Sequence, residues 1–182
     1  MKYKMAIAVI LLGASFRPAA ADLIDECRGH PWANVQLSAC AAIIMSPSFD
    51  VDVKALAYQY RGDARNNAGA FQEATGDFNE SIRLRPDNGP SFAGRARARF
   101  SVRNFAGALD DYSEAIRLSP ATANFYIERG HVYLSQGNLD ASIRDLNEAI
   151  RLDPRSESAF NNRGLALRKK GDLDGAIQDS PL

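Results

Sequence analysis

The feature that most constrains the fold of this 182-residue chain is a 34-residue period marked by Pro86, Pro120 and Pro154. Each proline follows a run in which a small residue precedes Ile-Arg-Leu. Stacking the sequence at this period defines four repeats, which begin at Ala55, Gly89, Ala123 and Glu157. A fixed period of this length is typical of arrays of supersecondary units, each too small to bury its own apolar face alone.

Residues of similar size recur at the same repeat positions. Positions 8, 20 and 27 are small, which lets two antiparallel helices approach closely; they are Gly62, Ala96, Gly130, Gly164, Ala74, Ala108, Ser142, Ala176, Ser81, Ala115 and Ala149. Positions 4, 17 and 24 are large and apolar; they are Tyr58, Phe92, Tyr126, Phe160, Phe71, Phe105, Leu139, Leu173, Phe78, Tyr112 and Leu146. We expect the large side chains to fill the space between helices, where burial stabilises the stack by ~25 cal/mol per Å².

Glycine and proline mark the ends of the predicted helices. Gly69, Gly137 and Gly171 lie where the first helix of a repeat should end, and glycine suits a left-handed cap at that place. The proline at position 32 stops the second helix soon after its last turn. Each repeat is therefore predicted to be a helix, a tight turn, a second helix and a linker, which makes the chain all-α.

These small, aromatic and proline positions resemble the tetratricopeptide repeat (TPR) from Ala55 to Asp179. The phrase Tyr126-Ile127-Glu128-Arg129-Gly130, followed by Asp145-Leu146, is most similar to exported bacterial members of that family. The resemblance implies a right-handed α-solenoid of antiparallel helix pairs. It also implies a concave groove lined by first helices, which binds peptides or segments of other proteins and carries no cofactor.

The chain departs from the family pattern at two positions of opposite charge. Position 7, commonly leucine in the family, is always arginine, and position 23 is always aspartate; the residues are Arg61, Arg95, Arg129, Arg163, Asp77, Asp111, Asp145 and Asp179. An arginine–carboxylate fork can be bidentate and can orient two helices. We predict structural ion pairs, either within a repeat or between neighbours; the alternative is that the arginines bind anions.

Groove residues are carried over from the family geometry at first-helix positions 2, 5, 6, 9, 12 and 13. The candidates are Gln59, Tyr60, Asp63, Asn67, Arg97, Phe100, Glu128, His131, Asn161, Asn162, Leu165 and Arg168. Unlike the packing positions they differ between repeats, as selective recognition requires. Arg97 is suited to a peptide carboxylate. Gln59 and Asp63 replace the lysine and asparagine with which some family members hold carboxyl-terminal tails, so that kind of ligand is not expected.

The amino-terminal residues predict export. Lys2 and Lys4 precede the apolar run 5–12, and Ala19-Ala20-Ala21 fits a cleavage site, which together is the layout of a secretory signal peptide. A retained amphipathic anchor is the alternative. Cleavage after Ala21 would leave 19 basic and 22 acidic residues, a net charge that argues against nucleic acid as a partner. The mature protein is expected to be periplasmic or secreted, without stable membrane insertion.

Both cysteines, Cys27 and Cys40, fall early in the mature chain. In an oxidising compartment an isolated pair predicts one disulfide, which would contribute roughly 2–3 kcal/mol by closing so short a loop. A metal site with His30 would lack a fourth ligand and the usual spacing, so no metal is expected. The segment 34–44 has the pattern of a second helix, which we expect to form an amino-terminal cap.

The predicted organisation ends in an incomplete repeat. The second helix of the fourth repeat begins at Leu173 and meets Ser180-Pro181-Leu182 after about two turns. Either relatives are longer, or the bare face packs on another copy or a partner. The segments are a signal peptide (1–21), a cap with a partial repeat and the disulfide (22–54), and repeats at 55–88, 89–122, 123–156 and 157–182.

No arrangement typical of catalysis occurs in the sequence: it has no G-x-S-x-G elbow, phosphate loop or H-E-x-x-H motif. We therefore predict a non-enzymatic scaffold that holds a protein or peptide in its groove. The alternatives are a module that self-assembles through its carboxyl-terminal repeat, as a homo-oligomer, and a regulatory repeat fragment of a larger protein.

Overall fold

The computed structural model describes residues 20–179, and the predicted signal peptide lies outside this part of the chain except for Ala20 and Ala21. The described residues form ten α-helices and no strand. They are α1 (Ala20–Gly29), α2 (Ala33–Met45), α3 (Val51–Asn67), α4 (Phe71–Leu84), α5 (Gly89–Ser101), α6 (Phe105–Leu118), α7 (Ala123–Ser135), α8 (Leu139–Leu152), α9 (Glu157–Lys170) and α10 (Leu173–Gln178).

The turn between the two helices of each repeat contains a residue with a left-handed backbone conformation, as the glycines at this place predict. Gly69, Gly137 and Gly171 have φ values of 78°, 78° and 93°, in the left-handed region. The second repeat makes the same turn with Arg103, whose φ is 63°. An L-residue with a side chain pays a conformational cost there that glycine avoids.

The repeats stack so that first helices lie on the inside of a curved array. Each first helix packs against the second helix of its own repeat, as in the pairs α3/α4, α5/α6 and α7/α8. First helices of neighbouring repeats also pack together, α3 with α5 and α7 with α9, whereas no second helix contacts the next one to a comparable extent. Because the first helices are closer together, their shared face is the concave one.

The position-24 side chains form the centre of the array. Phe78, Tyr112 and Leu146 are fully buried or nearly so. A Cβ atom added to Gly62 would lie 2.9 Å from the Phe78 ring, and one added to Gly94 of the next repeat would overlap that ring. The small residues therefore make room for a large side chain that passes between the first helices of two neighbouring repeats.

The amino-terminal cap is a hairpin of two helices. α1 packs on both α2 and α3, and Cys27 in α1 faces Cys40 in α2 with their Cα atoms 4.7 Å apart, a spacing that a disulfide can span. Both cysteines are buried among Ile43 and Ala57. The linker between α2 and α3, residues 46–50, ends at Asp50, which caps α3 by accepting a hydrogen bond from Val53 N at 2.8 Å.

The far end of the described array leaves apolar side chains in solvent. Leu173 and Ile177 of α10 are 60% and 70% exposed, whereas their counterparts in the third repeat, Leu139 and Ile143, are partly buried. Within residues 20–179, no helix combines the length and the apolar character needed to cross a membrane.

Candidate functional site: the groove of first helices

The arginine at position 7 and the aspartate at position 23 contact each other within each repeat. In the second repeat, Arg95 Nε and Nη2 donate to the two carboxylate oxygens of Asp111 at 2.9 and 2.7 Å. The same fork joins the other three pairs, with shortest N···O distances of 2.6 to 2.8 Å: Arg61–Asp77, Arg129–Asp145 and Arg163–Asp179. Of the two arrangements left open by the sequence, the structure has the pair within the repeat.

The remaining guanidinium nitrogen connects neighbouring repeats. Arg95 Nη1 donates to Asn79 of the preceding second helix at 2.7 Å, and Arg129 and Arg163 make the equivalent bonds to Ser113 and Asn147. Each position-7 guanidinium also lies over the position-4 aromatic ring, 5.4 to 6.0 Å from its centroid. Position 4 is therefore only partly buried, beneath an arginine, and does not fill the interhelical space as completely as predicted.

The first and second repeats add another arginine to each pair. Arg65 Nη1 lies 2.7 Å from Asp77, and Arg99 Nη1 lies 2.8 Å from Asp111. Both aspartates are buried, with 4% of the side chain exposed. Each of these two carboxylates is thus shared by two guanidinium groups of the scaffold.

On the groove side, Asp63 and Arg97 form a looser pair between the first two repeats. Arg97 Nη2 lies 3.7 Å from Asp63 Oδ1, with 49% and 33% of the two side chains exposed. Burial raises the pKa of the Asp63 carboxyl, and the Arg97 guanidinium offsets only part of that rise. Arg97, predicted to receive a peptide carboxylate, already has a carboxylate partner.

The middle of the groove combines two aromatic rings with one acidic group. The rings of Phe100 and His131 lie 5.1 Å apart between centroids, and Phe100 also contacts Phe105. Tyr112 Oη donates a hydrogen bond of 3.5 Å to Glu128 Oε2. Burial raises the pKa of the Tyr112 phenol, and the Glu128 charge adds to the rise, so the hydroxyl keeps its proton. We call Arg97, Phe100, Tyr112, Glu128 and His131 the groove centre.

The first repeat places two of its three remaining groove candidates in structural contacts. Gln59 accepts a hydrogen bond of 2.9 Å from Asn88 Nδ2, which also binds Ser81 and Ser91 in a buried network. Tyr60 packs against the apolar cluster of the amino-terminal cap. Asn67 is exposed at the last residue of α3.

The fourth repeat gathers its candidates near the end of the described array. Asn161, Leu165 and Arg168 line a depression between α9 and α10, together with Ala176 and Asp179. Asn162 is half-buried on the same first helix. These residues therefore lie apart from the groove centre, which the second and third repeats build.

Sequence reasoning missed Tyr112, which it treated as a filler of the core. Its ring does fill the core, but its hydroxyl reaches Glu128. The signal was present at position 24, where the first and third repeats have Phe78 and Leu146: only a tyrosine brings a hydroxyl that needs a partner. Within residues 20–179, no three His, Cys, Asp or Glu side chains come together as a metal site.

The stacked helix pairs and their inner groove define the class of protein: a right-handed α-solenoid, as predicted. Residues 96–137 and 130–171 match the family model of the TPR repeat, so this part of the chain consists of tetratricopeptide repeats. A comparison with curated protein sequences gave no match.

Solved structures of the same fold include MamA and RPAP3 repeats. A MamA fragment from Desulfovibrio magneticus RS-1 superposes with a TM-score of 0.75 at 19% identity, over 88% of both chains. Another MamA crystal structure gives 0.73 at 22%, over 88% of this chain and 85% of that one. The first TPR of Spaghetti (RPAP3), bound to an HSP90 peptide, gives 0.64 at 23%, over 69% and 99%. At these identities the likeness establishes the fold.

Proposed function

We propose that this chain is an exported adaptor that holds a segment of a partner protein in its concave groove. The observation that carries the proposal is a division between repeated and unrepeated contacts. The Arg–Asp forks recur in every repeat and hold the scaffold, whereas position 9 presents Asp63, Arg97, His131 and Leu165 in turn. A regular scaffold with a varied, partly exposed inner face suits recognition of one sequence among many.

The RPAP3 repeat offers a precedent for a peptide bound by this fold, since its structure contains an HSP90 peptide. The present groove has a different set of charges. Asp63 is a carboxylate at the place where a carboxyl-terminal tail would need an amide or a cation, and its nearest cation is Arg97. We therefore infer that the ligand is not a carboxyl-terminal tail, and that the partner binds through an internal segment.

The groove proposal is tested by photo-crosslinked capture from a cell-envelope fraction. Arg97→Glu combined with His131→Ala changes two exposed groove side chains without touching the core. The matched control, Arg117→Glu, changes an exposed arginine on α6 of the second repeat, outside the groove. We expect the groove variant to capture a different set of proteins from wild type, whereas the control should capture the wild-type set. An identical set from all three proteins would refute groove recognition.

Export and the disulfide form the second part of the proposal. The predicted signal peptide and the adjacent pair Cys27 and Cys40 agree on an oxidising compartment. The intact mass of the exported protein should match a chain that begins at Asp22 and carries one disulfide. A mass that retains Met1, or two thiols that react with iodoacetamide, would contradict this part alone.

Self-assembly is a second candidate, favoured by the exposure of Leu173 and Ile177 on α10. Contact between two such faces would bury both side chains. Multi-angle light scattering should then give a mass that rises with concentration, and Leu173→Ser with Ile177→Ser should return it to that of a monomer. A wild-type monomer at all concentrations would remove this candidate.

A further inference from the structure

The only acidic group of the groove centre is Glu128, and it has no cationic partner in the described part of the chain. Its one bond there is the 3.5 Å contact from the Tyr112 hydroxyl. By contrast, the ionised groups nearby are already paired: Arg97 with Asp63, and Arg95 and Arg99 with Asp111. On the groove side, Asp63, Arg97 and Glu128 together carry a net charge of about −1 at neutral pH, whereas Arg95, Arg99 and Asp111 together carry about +1.

An aromatic surface lies beside this carboxylate. Glu128 and His131 are three residues apart on α7, so they share one helix face. The exposed His131 ring contacts Phe100 across the two first helices. A carboxylate next to a ring pair is an arrangement that suits a long cationic side chain, whose stem packs on the rings while its head meets the charge.

The scaffold of this chain already uses that arrangement four times. At each repeat an arginine lies over an aromatic ring while its guanidinium meets a carboxylate, as in Arg95 with Phe92 and Asp111. The groove centre has the rings and the carboxylate, but its own arginine, Arg97, pairs with Asp63 and leaves Glu128 without a cation. We propose that the missing cation comes from the partner: the groove centre binds a lysine or arginine side chain of an extended protein segment, paired with Glu128 and packed on Phe100 and His131.

This inference rests on the proposed groove function and reverses the expectation that Arg97 receives a carboxylate. Charge complementarity separates the two alternatives. An incoming carboxylate would meet Glu128 and Asp63 and would have to displace Asp63 from Arg97. An incoming cation would find Glu128 unpaired. Burial already raises the pKa of Asp63, so a second nearby cation would also favour its ionised form.

The test is selection of a displayed library of random twelve-residue peptides on the purified protein. We expect selected peptides to share a lysine or arginine at a fixed distance from an apolar residue. A synthetic copy of a selected peptide should bind Glu128→Gln about ten-fold more weakly, the scale of one partly exposed ion pair. Glu148→Gln, a matched control in the second helix of the same repeat, should bind as wild type does, because Glu148 pairs with Arg151 outside the groove.

A double-mutant cycle assigns the contact. Replacing the peptide lysine by alanine should weaken binding to wild type about ten-fold and have little further effect on Glu128→Gln. If the selected peptides bind His131→Ala more weakly than wild type but share no lysine or arginine, the cation proposal is overturned and the groove function stands. If no peptide is selected, or binding ignores both Glu128→Gln and His131→Ala, the groove function falls and the cation proposal falls with it.

Discussion

The buried carboxylate of Asp111 provides the sharpest test of how the array is held together. It accepts two charge-assisted hydrogen bonds from Arg95, at 2.9 and 2.7 Å, and forms an ion pair with Arg99 at 2.8 Å. Asp111→Asn keeps the shape but removes the charge and points an amide N–H group at a guanidinium. Two arginines then share one neutral acceptor in a site that is 4% exposed.

The expected loss follows from what the arginines can do afterwards. Removing one partner of a fully buried ion pair costs about 3–5 kcal/mol. Arg95 and Arg99 keep 15% and 28% exposure, so part of their charge can turn to water, and we expect about 3 kcal/mol. Asp145 has one arginine partner and is itself 10% exposed, so Asp145→Asn should cost about 1.5 kcal/mol.

Urea unfolding followed by circular dichroism at 222 nm measures both losses. Asp110→Asn, an exposed neighbour of Asp111, serves as the control and should stay within about 0.5 kcal/mol of wild type. Equal losses at Asp111 and Asp145, or a loss below about 1 kcal/mol at Asp111, would refute the reasoning that the second arginine strengthens the pair.

Three further predictions concern backbone fit, packing and pH. Arg103→Gly should raise the free energy of unfolding by about 1 kcal/mol by relieving a positive φ, and an unchanged urea midpoint would contradict it. Gly94→Ala should lower it by about 1–3 kcal/mol because the new methyl group overlaps Phe78, whereas Gly76→Ala, in open space on α4, should raise it slightly. Asp63→Asn should become more stable relative to wild type as pH rises from about 3.9, the ordinary pKa of an aspartate, through the raised pKa of Asp63 in the folded state. The reason is that folded wild type binds this proton more tightly than the unfolded chain does, so wild type loses stability as the proton leaves. A difference in the free energy of unfolding that stays constant between about pH 3.5 and 7 in urea titrations would refute this.

The scaffold could be predicted from the sequence because each structural requirement is repeated. Glycine at the turn appears at Gly69, Gly137 and Gly171, and each has the left-handed backbone that only glycine adopts freely. Similarly, charges that recur at a fixed separation of 16 residues, such as Arg129 and Asp145, indicate a contact made in every unit. A residue pair that recurs in every repeat is thus recognisable from the sequence as a structural contact.

The groove could be predicted less well, because its residues occur once each. Family geometry placed Tyr60 in the groove, but the amino-terminal cap packs against it, and the sequence does not show where an irregular hairpin will lie. Family geometry also placed Gln59 in the groove, but its side chain accepts a hydrogen bond from Asn88 in a buried network. The Tyr112 hydroxyl reaches the groove from the second helix α6, which is possible only because α5 and α7 leave space between them.

The run Arg95, Arg97 and Arg99 shows why charge must be counted after folding. On the sequence it is a cluster of three arginines within five residues, of a kind that anionic ligands use. In the structure Arg95 and Arg99 turn to Asp111 within the repeat, while Arg97 turns to Asp63 across the groove. All three guanidinium groups thus contact a carboxylate inside the protein, and the ionised group left without a partner in the groove centre is the carboxylate of Glu128. The charge of the ligand that we expect in the groove is therefore set by the unpaired carboxylate of Glu128, and not by the more numerous arginines.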